Sequence, residues 1–175
     1  MSTVRVECVT GDITRQPDID AVVNAANARL MPGGGVAGAI HRAAGPELAR
    51  ECQPLAPIRP GEAVITAGHA LPNPWVIHCL GPVYGEDQPS DTLLADCYRN
   101  ALDLAEGRGI ASVAFPAIST GAFGYPVEAA AAVCAAALKT ALPRLRQVTL
   151  IRFVLFDDAA REVLERALSD AGLLD

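Results

Sequence analysis

Short apolar runs alternate with stretches of helical period along this chain. Residues 4–9, 20–24, 62–67, 75–80, 112–115 and 148–156 read as strands. The last is a near-continuous apolar run, the mark of a strand buried on both faces and hence central. Residues 36–44 start a helix directly behind three glycines, and 46–52 continue helically after the Gly45-Pro46 break. Residues 92–105 place Leu93, Leu94, Cys97, Ala101, Leu102 and Leu104 at the helical period. A helix over 127–142 is opened by Pro126, a good first-turn residue, and Asp157 and Asp158 cap a last helix over 159–168. Gly68 and the Pro72-Asn73-Pro74 turn join the strands at 62–67 and 75–80. Strands alternating with helices predict an α/β fold, a largely parallel or mixed sheet with helices on both faces. Ligands on such sheets sit beyond the carboxyl ends of the strands.

Two loops at such ends carry glycine. One reads Asn24-Ala25-Ala26-Asn27 and then Gly33-Gly34-Gly35-Val36-Ala37-Gly38. The other reads Ser119-Thr120-Gly121-Ala122-Phe123-Gly124. Bare backbone lets a ligand come close, and helix N-termini attract phosphate. Two such loops suggest a ligand with two adjacent phosphates, provided their strands are neighbours. Gly33, Gly35 and Gly38 match G-x-G-x-x-G, but a dinucleotide fold wants an acid on a strand ~20 residues on. Residues 53–58 there hold neither. No P-loop motif is present.

Other residues carry paired readings. Asn24 reads as a turn residue. Asn27 reads as a ligand contact, since an amide both donates to and accepts from a ribose hydroxyl. His78, in an apolar strand, reads as a hydrogen-bonded core residue, and His41 as structural support for its helix. Ser119 and Thr120 lack a nucleophile elbow and read as hydroxyl or backbone donors to phosphate. Asp12 either accepts from an exocyclic amine or caps the turn at Ile13-Thr14. Phe156 either stacks on a base or belongs to the core.

Composition narrows the class. The chain has 175 residues, 51% hydrophobic, which suits one domain spanning 1–175 with one core. The net charge is −6 and no Lys/Arg run exists, which argues against binding nucleic-acid backbone. Five scattered cysteines without CxxC spacing read as reduced thiols of a cytoplasmic protein. Residues 1–8 lack a signal-peptide pattern, and no apolar stretch reaches the ~18 residues of a membrane span. We expect no metal site and no dissociable cofactor, and a monomer.

The motifs together resemble the macro domain family, MacroD type. The residues concerned are Gly11-Asp12-Ile13-Thr14, Val23-Asn24-Ala25-Ala26-Asn27, Gly33-Gly34-Gly35-Val36, Gly38-Ala39-Ile40-His41-Arg42-Ala43-Ala44-Gly45-Pro46, Gly61-Glu62-Ala63, Val76-Ile77-His78 with Gly81-Pro82, and Ala114-Phe115-Pro116-Ala117-Ile118-Ser119-Thr120-Gly121. The resemblance implies a three-layer α/β/α sandwich around a mixed, mostly parallel sheet that binds ADP-ribose. It implies hydrolysis of ADP-ribose esters, both mono-ADP-ribosylated acidic side chains of partner proteins and O-acetyl-ADP-ribose. It assigns the adenine amine to Asp12 with Ile13 beside it, the distal ribose to Asn27, and the diphosphate to the loop from Ser119 through Gly124. The glycine loop Gly34-Gly35-Val36-Ala37 faces the same ligand. One departure matters. Where the family carries its proposed catalytic aspartate, this chain has Ala37. The chain is then a slowed hydrolase relying on Asn27 and the substrate's own diphosphate, a reader that only binds, or a chain with Ala37 introduced to trap a ligand.

Overall fold

A computed structural model describes residues 4–174; residues 1–3 and 175, the ends of the expected domain, lie outside the described residues. Among the described residues six strands form one sheet: β1 (Arg5–Thr10), β2 (Ala21–Ala25), β3 (Ala63–Ala67), β4 (Trp75–Cys79), β5 (Ser112–Phe115) and β6 (Leu150–Leu155). Five helices accompany them: α1 (Gly35–Ala44), α2 (Pro46–Cys52), α3 (Ser90–Gly107), α4 (Val127–Ala141) and α5 (Asp158–Asp170). The sheet order is β1-β6-β5-β2-β4-β3, parallel throughout except for β3 against β4. The expected mixed, mostly parallel sheet is therefore the observed one.

Side chains alternate between two buried layers, as the pleat requires. Ala21, Val23, Ile77, Val113, Phe115, Ile151 and Phe153 face one layer with α3, α4 and α5. Val22, Val76, Ala114 and Val154 face the other, with Ile40 and Ala44 of α1 and Leu48 of α2. Burial on both faces is why the inner strands read as unbroken apolar runs. The larger layer is anchored by stacked Phe115 and Phe153, centroids 5.5 Å apart, with Tyr98 of α3 tilted against Phe115 at 5.4 Å.

The strand expected over 148–156 is shorter and less central than its pattern suggested. It lies inside the sheet between β1 and β5, while β5 and β2 hold the middle. It is also cut at both ends. Val148 gives its amide to the Glu106 carboxylate (2.7 Å), and Phe156 projects out at 93% exposure. Asp157 caps α5 as expected, accepting from the Ala160 amide at 2.8 Å. Asp158 instead accepts from the Thr10 hydroxyl at 2.6 Å, tying α5 to the end of β1.

One polar row crosses the α1/α2 face. The Thr66 hydroxyl donates to Ala67 O (3.1 Å), so it accepts from His78 Nε2 (2.9 Å), and His78 Nδ1 in turn accepts from the Asn24 amide (3.1 Å). This fixes His78 as the neutral Nε2–H tautomer. His78 is thus the hydrogen-bonded core residue expected. Asn24 lies inside β2, buried, as the strand reading over 20–24 had it, and not in the turn its residue type suggested.

Two outcomes follow from this packing. A Cβ on Gly38 would collide with the backbone carbonyl of Gly33, whereas one on Gly121 would meet open space. Gly38→Ala should cost about 1–3 kcal/mol in urea unfolding, and Gly121→Ala within about 0.5 kcal/mol of zero. Equal costs at the two positions would refute the contact. The second outcome concerns acid. Burial, with the neighbouring His41 adding to it, pushes His78 from 6.5 down to about 3. Between those values the unfolded chain binds a proton that the folded chain refuses. Stability is therefore full above pH 6.5 and falls as pH drops toward 3, by at most about 1.4 kcal/mol per pH unit. Urea unfolding at about pH 7, 6 and 5, before carboxylates titrate, should show the decline, and His78→Asn should make it shallower, leaving the part contributed by His41, whose pKa burial also lowers.

Candidate functional site

Because β1, β6, β5, β2 and β4 run parallel, their carboxyl ends open on one edge of the sheet. β5 and β2 are neighbours, so the loops that leave them flank one crevice. This is the condition the two-loop reading required. Asp12 follows β1 and Phe156 follows β6, and the Gly11 amide bonds Leu155 O at 3.0 Å, which sets those two side by side. Along the edge the order is Asp12 and Phe156, then residues 119–124, then residues 27–38.

The loop after β5 is a cup of main-chain donors. Gly124 N bonds Gly121 O (3.0 Å) and Tyr125 N bonds Ser119 O (2.9 Å), curling the chain. The amides of Thr120, Gly121, Ala122 and Phe123 donate to no acceptor among the described residues. Successive unpaired amides in a turn make an anion cradle. α4 starts just beyond, with Pro126 at its cap and no side chain capping it. The expectation for the Ser119 hydroxyl is corrected. It is buried and donates to Pro82 O at 2.8 Å, because Ser119 takes a left-handed φ of 67° that turns its side chain under the loop. Gly81 makes this possible, since a Cβ there would strike Ser119 Oγ. Tyr84 supports the loop from the same side, its amide bonding Phe123 O at 2.9 Å and its ring resting 4.7 Å from Tyr125. Pro82 stood in the sequence only as part of the Gly81-Pro82 pair, and Tyr84 was not singled out. The Gly81-Pro82 pair was the only signal for them.

The loop after β2 presents the N-terminus of α1. Gly34 is its cap, with no side chain bonded there, and the amides of Gly35, Val36 and Ala37 point to no protein acceptor among the described residues. Gly35, at φ 56°, starts the helix in a backbone shape that side chains rarely adopt. The Asn27 amide is already engaged. Its Nδ2 donates to Met31 O (2.8 Å) and its Oδ1 accepts from Met31 N (3.1 Å), closing a turn. An amide offers two donors and two lone pairs, so one of each remains. Ala37 is buried and brings only a methyl to this end. His41, one turn on, is buried with both ring nitrogens unpartnered among the described residues, as is Asn24 Oδ1. It supports the helix by packing rather than by hydrogen bonds. Burial lowers its pKa, so it is neutral near pH 7.

At the far end, Asp12 does cap the turn, as one of its two readings held. Its Oδ1 accepts from the Thr14 hydroxyl (2.7 Å) and the Thr14 amide (2.9 Å). These bonds, with Arg15 nearby, hold its pKa below the usual carboxylate value. Capping and ligand contact are compatible, because Oδ2 keeps only Arg15 Nε at 3.8 Å. Ile13 is buried, and its amide has no acceptor among the described residues. Phe156 is no core aromatic; it stands almost fully exposed beside Asp12. Among the described residues no three or more His, Cys, Asp or Glu stand together as a metal-holding group, and no helix is long and apolar enough to cross a membrane.

Residues 23–134 match the family model described as Macro domain. A macro domain-containing protein of Chlorobaculum tepidum is 46% identical over 167 residues, 95% of this chain and 96% of the relative. A Citrobacter rodentium protein named O-acetyl-ADP-ribose deacetylase is 44% identical, covering 96% and 97%. Among solved structures, the Oceanobacillus iheyensis macrodomain with ADP superposes with a TM-score of 0.88 at 40% identity, covering 93% of this chain and 89% of that one. The Trypanosoma brucei macrodomain in complex with ADP-ribose superposes at 0.87 and 36% identity, covering 94% and 69%. With its model spanning most of the chain and relatives matched over nearly their full length, this chain belongs to the macro domain family.

Proposed function

We propose that the chain is a macro domain of the MacroD type that binds ADP-ribose and hydrolyses ADP-ribose esters, at a rate reduced by Ala37. The observation that carries the binding is the edge itself. Two sets of unpaired amides, 120–123 and 35–37, flank the crevice between β5 and β2. They suit a diphosphate without any basic side chain. Asp12 and Phe156 lie toward one end and Asn27 toward the other; the strand before Asp12 is three spacings, about 14 Å, from the strand before Asn27, and the strand before Phe156 is two. Asp12 Oδ2 and the Ile13 amide offer an acceptor beside a donor, the complement of the amine and ring nitrogen on an adenine edge. Phe156 offers its face to the base. The spare donor and acceptor of Asn27 suit the distal ribose hydroxyls. Relatives named O-acetyl-ADP-ribose deacetylase support the reaction, and ADP and ADP-ribose complexes of related macrodomains support the ligand.

In ester hydrolysis, water oxygen bonds to the acyl carbon. The bond from that carbon to the ribose oxygen breaks, and a proton passes from the water to the ribose. A free carboxylic acid and a ribose hydroxyl result. With a methyl at 37, no protein carboxylate there takes that proton. The ligand's own diphosphate, held against the α1 N-terminus, and Asn27 are left to orient the water. The substrates on this reading are O-acetyl-ADP-ribose and proteins mono-ADP-ribosylated on Asp or Glu. A second reading, a reader that binds and does not turn over, is favoured by the same Ala37.

Turnover of an ADP-ribosyl-glutamate protein by this chain beside Ala37→Asp separates the two. A working but slowed hydrolase should gain up to about 10²-fold with the carboxylate restored. An inactive chain rescued by Ala37→Asp is a reader, and an active chain unmoved by it never used a carboxylate. Binding is tested at Gly121. A Cβ there meets nothing, so Gly121→Glu should fold normally. Its bulk and charge should abolish ADP-ribose binding in calorimetry, and retained binding would place the phosphates elsewhere.

A further inference from the structure

The residues that hold the Asp12 turn come from far along the chain. Residues 11–20 cross from β1 to β2 over the face of the sheet that carries Arg152. That guanidinium, its side chain only 14% exposed, grips the Asp18 carboxylate with two bonds (2.8 and 2.7 Å) and touches Glu7 Oε1 at 3.4 Å. It also donates to Gln16 Oε1 at 2.9 Å. The buried Gln16 then donates from Nε2 to the main-chain carbonyl of Asp12 at 2.9 Å. Asn73 pins the same stretch by donating to Gln16 O and Ile19 O, both at 2.7 Å.

The direction of the Gln16 amide is dictated by its neighbours. Arginine has donors and no acceptor, so Oε1 must face Arg152. Nε2 must therefore face Asp12 O, an acceptor. The chain Arg152 to Gln16 to Asp12 is a one-way relay from the sheet to the turn that carries Asp12. We infer that Gln16, oriented by Arg152, is a positioning residue for base selectivity: it fixes the Asp12 main chain so that Oδ2 meets the exocyclic amine of the ligand's base. This rests on the adenine end proposed above. Gln16 itself touches no ligand atom.

The test compares ADP-ribose with inosine diphosphate ribose, in which a carbonyl replaces the amine and the ring nitrogen beside it carries a hydrogen, so that the edge facing Asp12 Oδ2 and the Ile13 amide has its donor and acceptor exchanged. The wild-type domain should prefer ADP-ribose. Gln16→Glu keeps an acceptor for Arg152 but sets a carboxylate against the Asp12 carbonyl. It should weaken ADP-ribose by about tenfold, the scale of a lost hydrogen bond to a charged group, and leave the inosine ligand unchanged, so that the preference collapses. Gln16→Met, which lacks both bonds, should act in the same direction should the added charge impair folding. A general loosening of the domain would weaken both ligands alike; that result, or a preference retained in both variants, overturns the inference. A wild-type domain that binds ADP-ribose without preferring it also overturns it, while leaving ADP-ribose binding intact. A wild-type domain that binds neither ligand overturns the ADP-ribose reading and this inference with it.

Discussion

The parallel pairing of β2 with β5 is the contact on which the site depends. It is short, Ala21 against Val113 and Val22 against Ala114. It nevertheless sets the carboxyl ends of two strands side by side, with their loops leaving for helices on opposite faces of the sheet, which opens a crevice between them. If any other strand lay between them, the two amide sets would be at least another strand spacing, about 4.8 Å, apart. A single diphosphate would not bridge them. Local devices then shape each wall. Gly38 lets α1 press against the Gly33 carbonyl, and Gly81 lets the Ser119 hydroxyl tuck beneath the second loop. Both walls thereby offer main chain rather than side chains. That is how a protein of net charge −6 can present an anion site: partial charges on fixed amides do what lysines do elsewhere.

The elements themselves were legible, because periodicity and helix boundaries are local. The end of the last strand, and the turn reading of Asn24 that competed with the strand reading over 20–24, failed for a common reason. Both depend on what lies across the sheet. Asn24 is an ordinary turn former by type, and His78, 54 residues away, makes it a strand residue instead. Asp12 and Thr14 are two residues apart, so that turn could be read, as one of two readings. Ser119 could not. Its hydroxyl is spent on Pro82, and nothing in a serine's identity reveals a φ of 67°. Gln16 and Arg152 are 136 positions apart, and neither stands in a motif, so the support of the Asp12 turn has no sequence signature at all.

The buried row of Thr66, His78 and Asn24 lies one residue layer beneath Ala25-Ala26-Asn27. Each bond in it has a fixed direction, so β3, β4 and β2 are locked in register immediately below the crevice. A row of apolar residues would fill the space equally well, but it would impose no direction and tolerate small slips. The cost of the polar row is borne by His78, which burial keeps neutral.

Position 37 shows what main chain cannot supply. Amides orient and neutralise; they do not accept a proton. A carboxylate in the first turn of α1 would feel two opposed forces, since the helix N-terminus would lower its pKa and its buried surroundings would raise it. It would also stand near the bound diphosphate. Like charges about 5 Å apart at an effective dielectric near 20 repel by about 3 kcal/mol. An acid at this position therefore trades affinity for turnover. On the proposed reading, Ala37 would take the other side of that exchange: the α1 amides would meet the phosphates unopposed, ADP-ribose would be held more tightly, and the water beside it would be oriented without being deprotonated. On that reading the alanine that would slow hydrolysis would also lengthen the life of the complex, which is why the proposed slow hydrolase and the reader lie so close together.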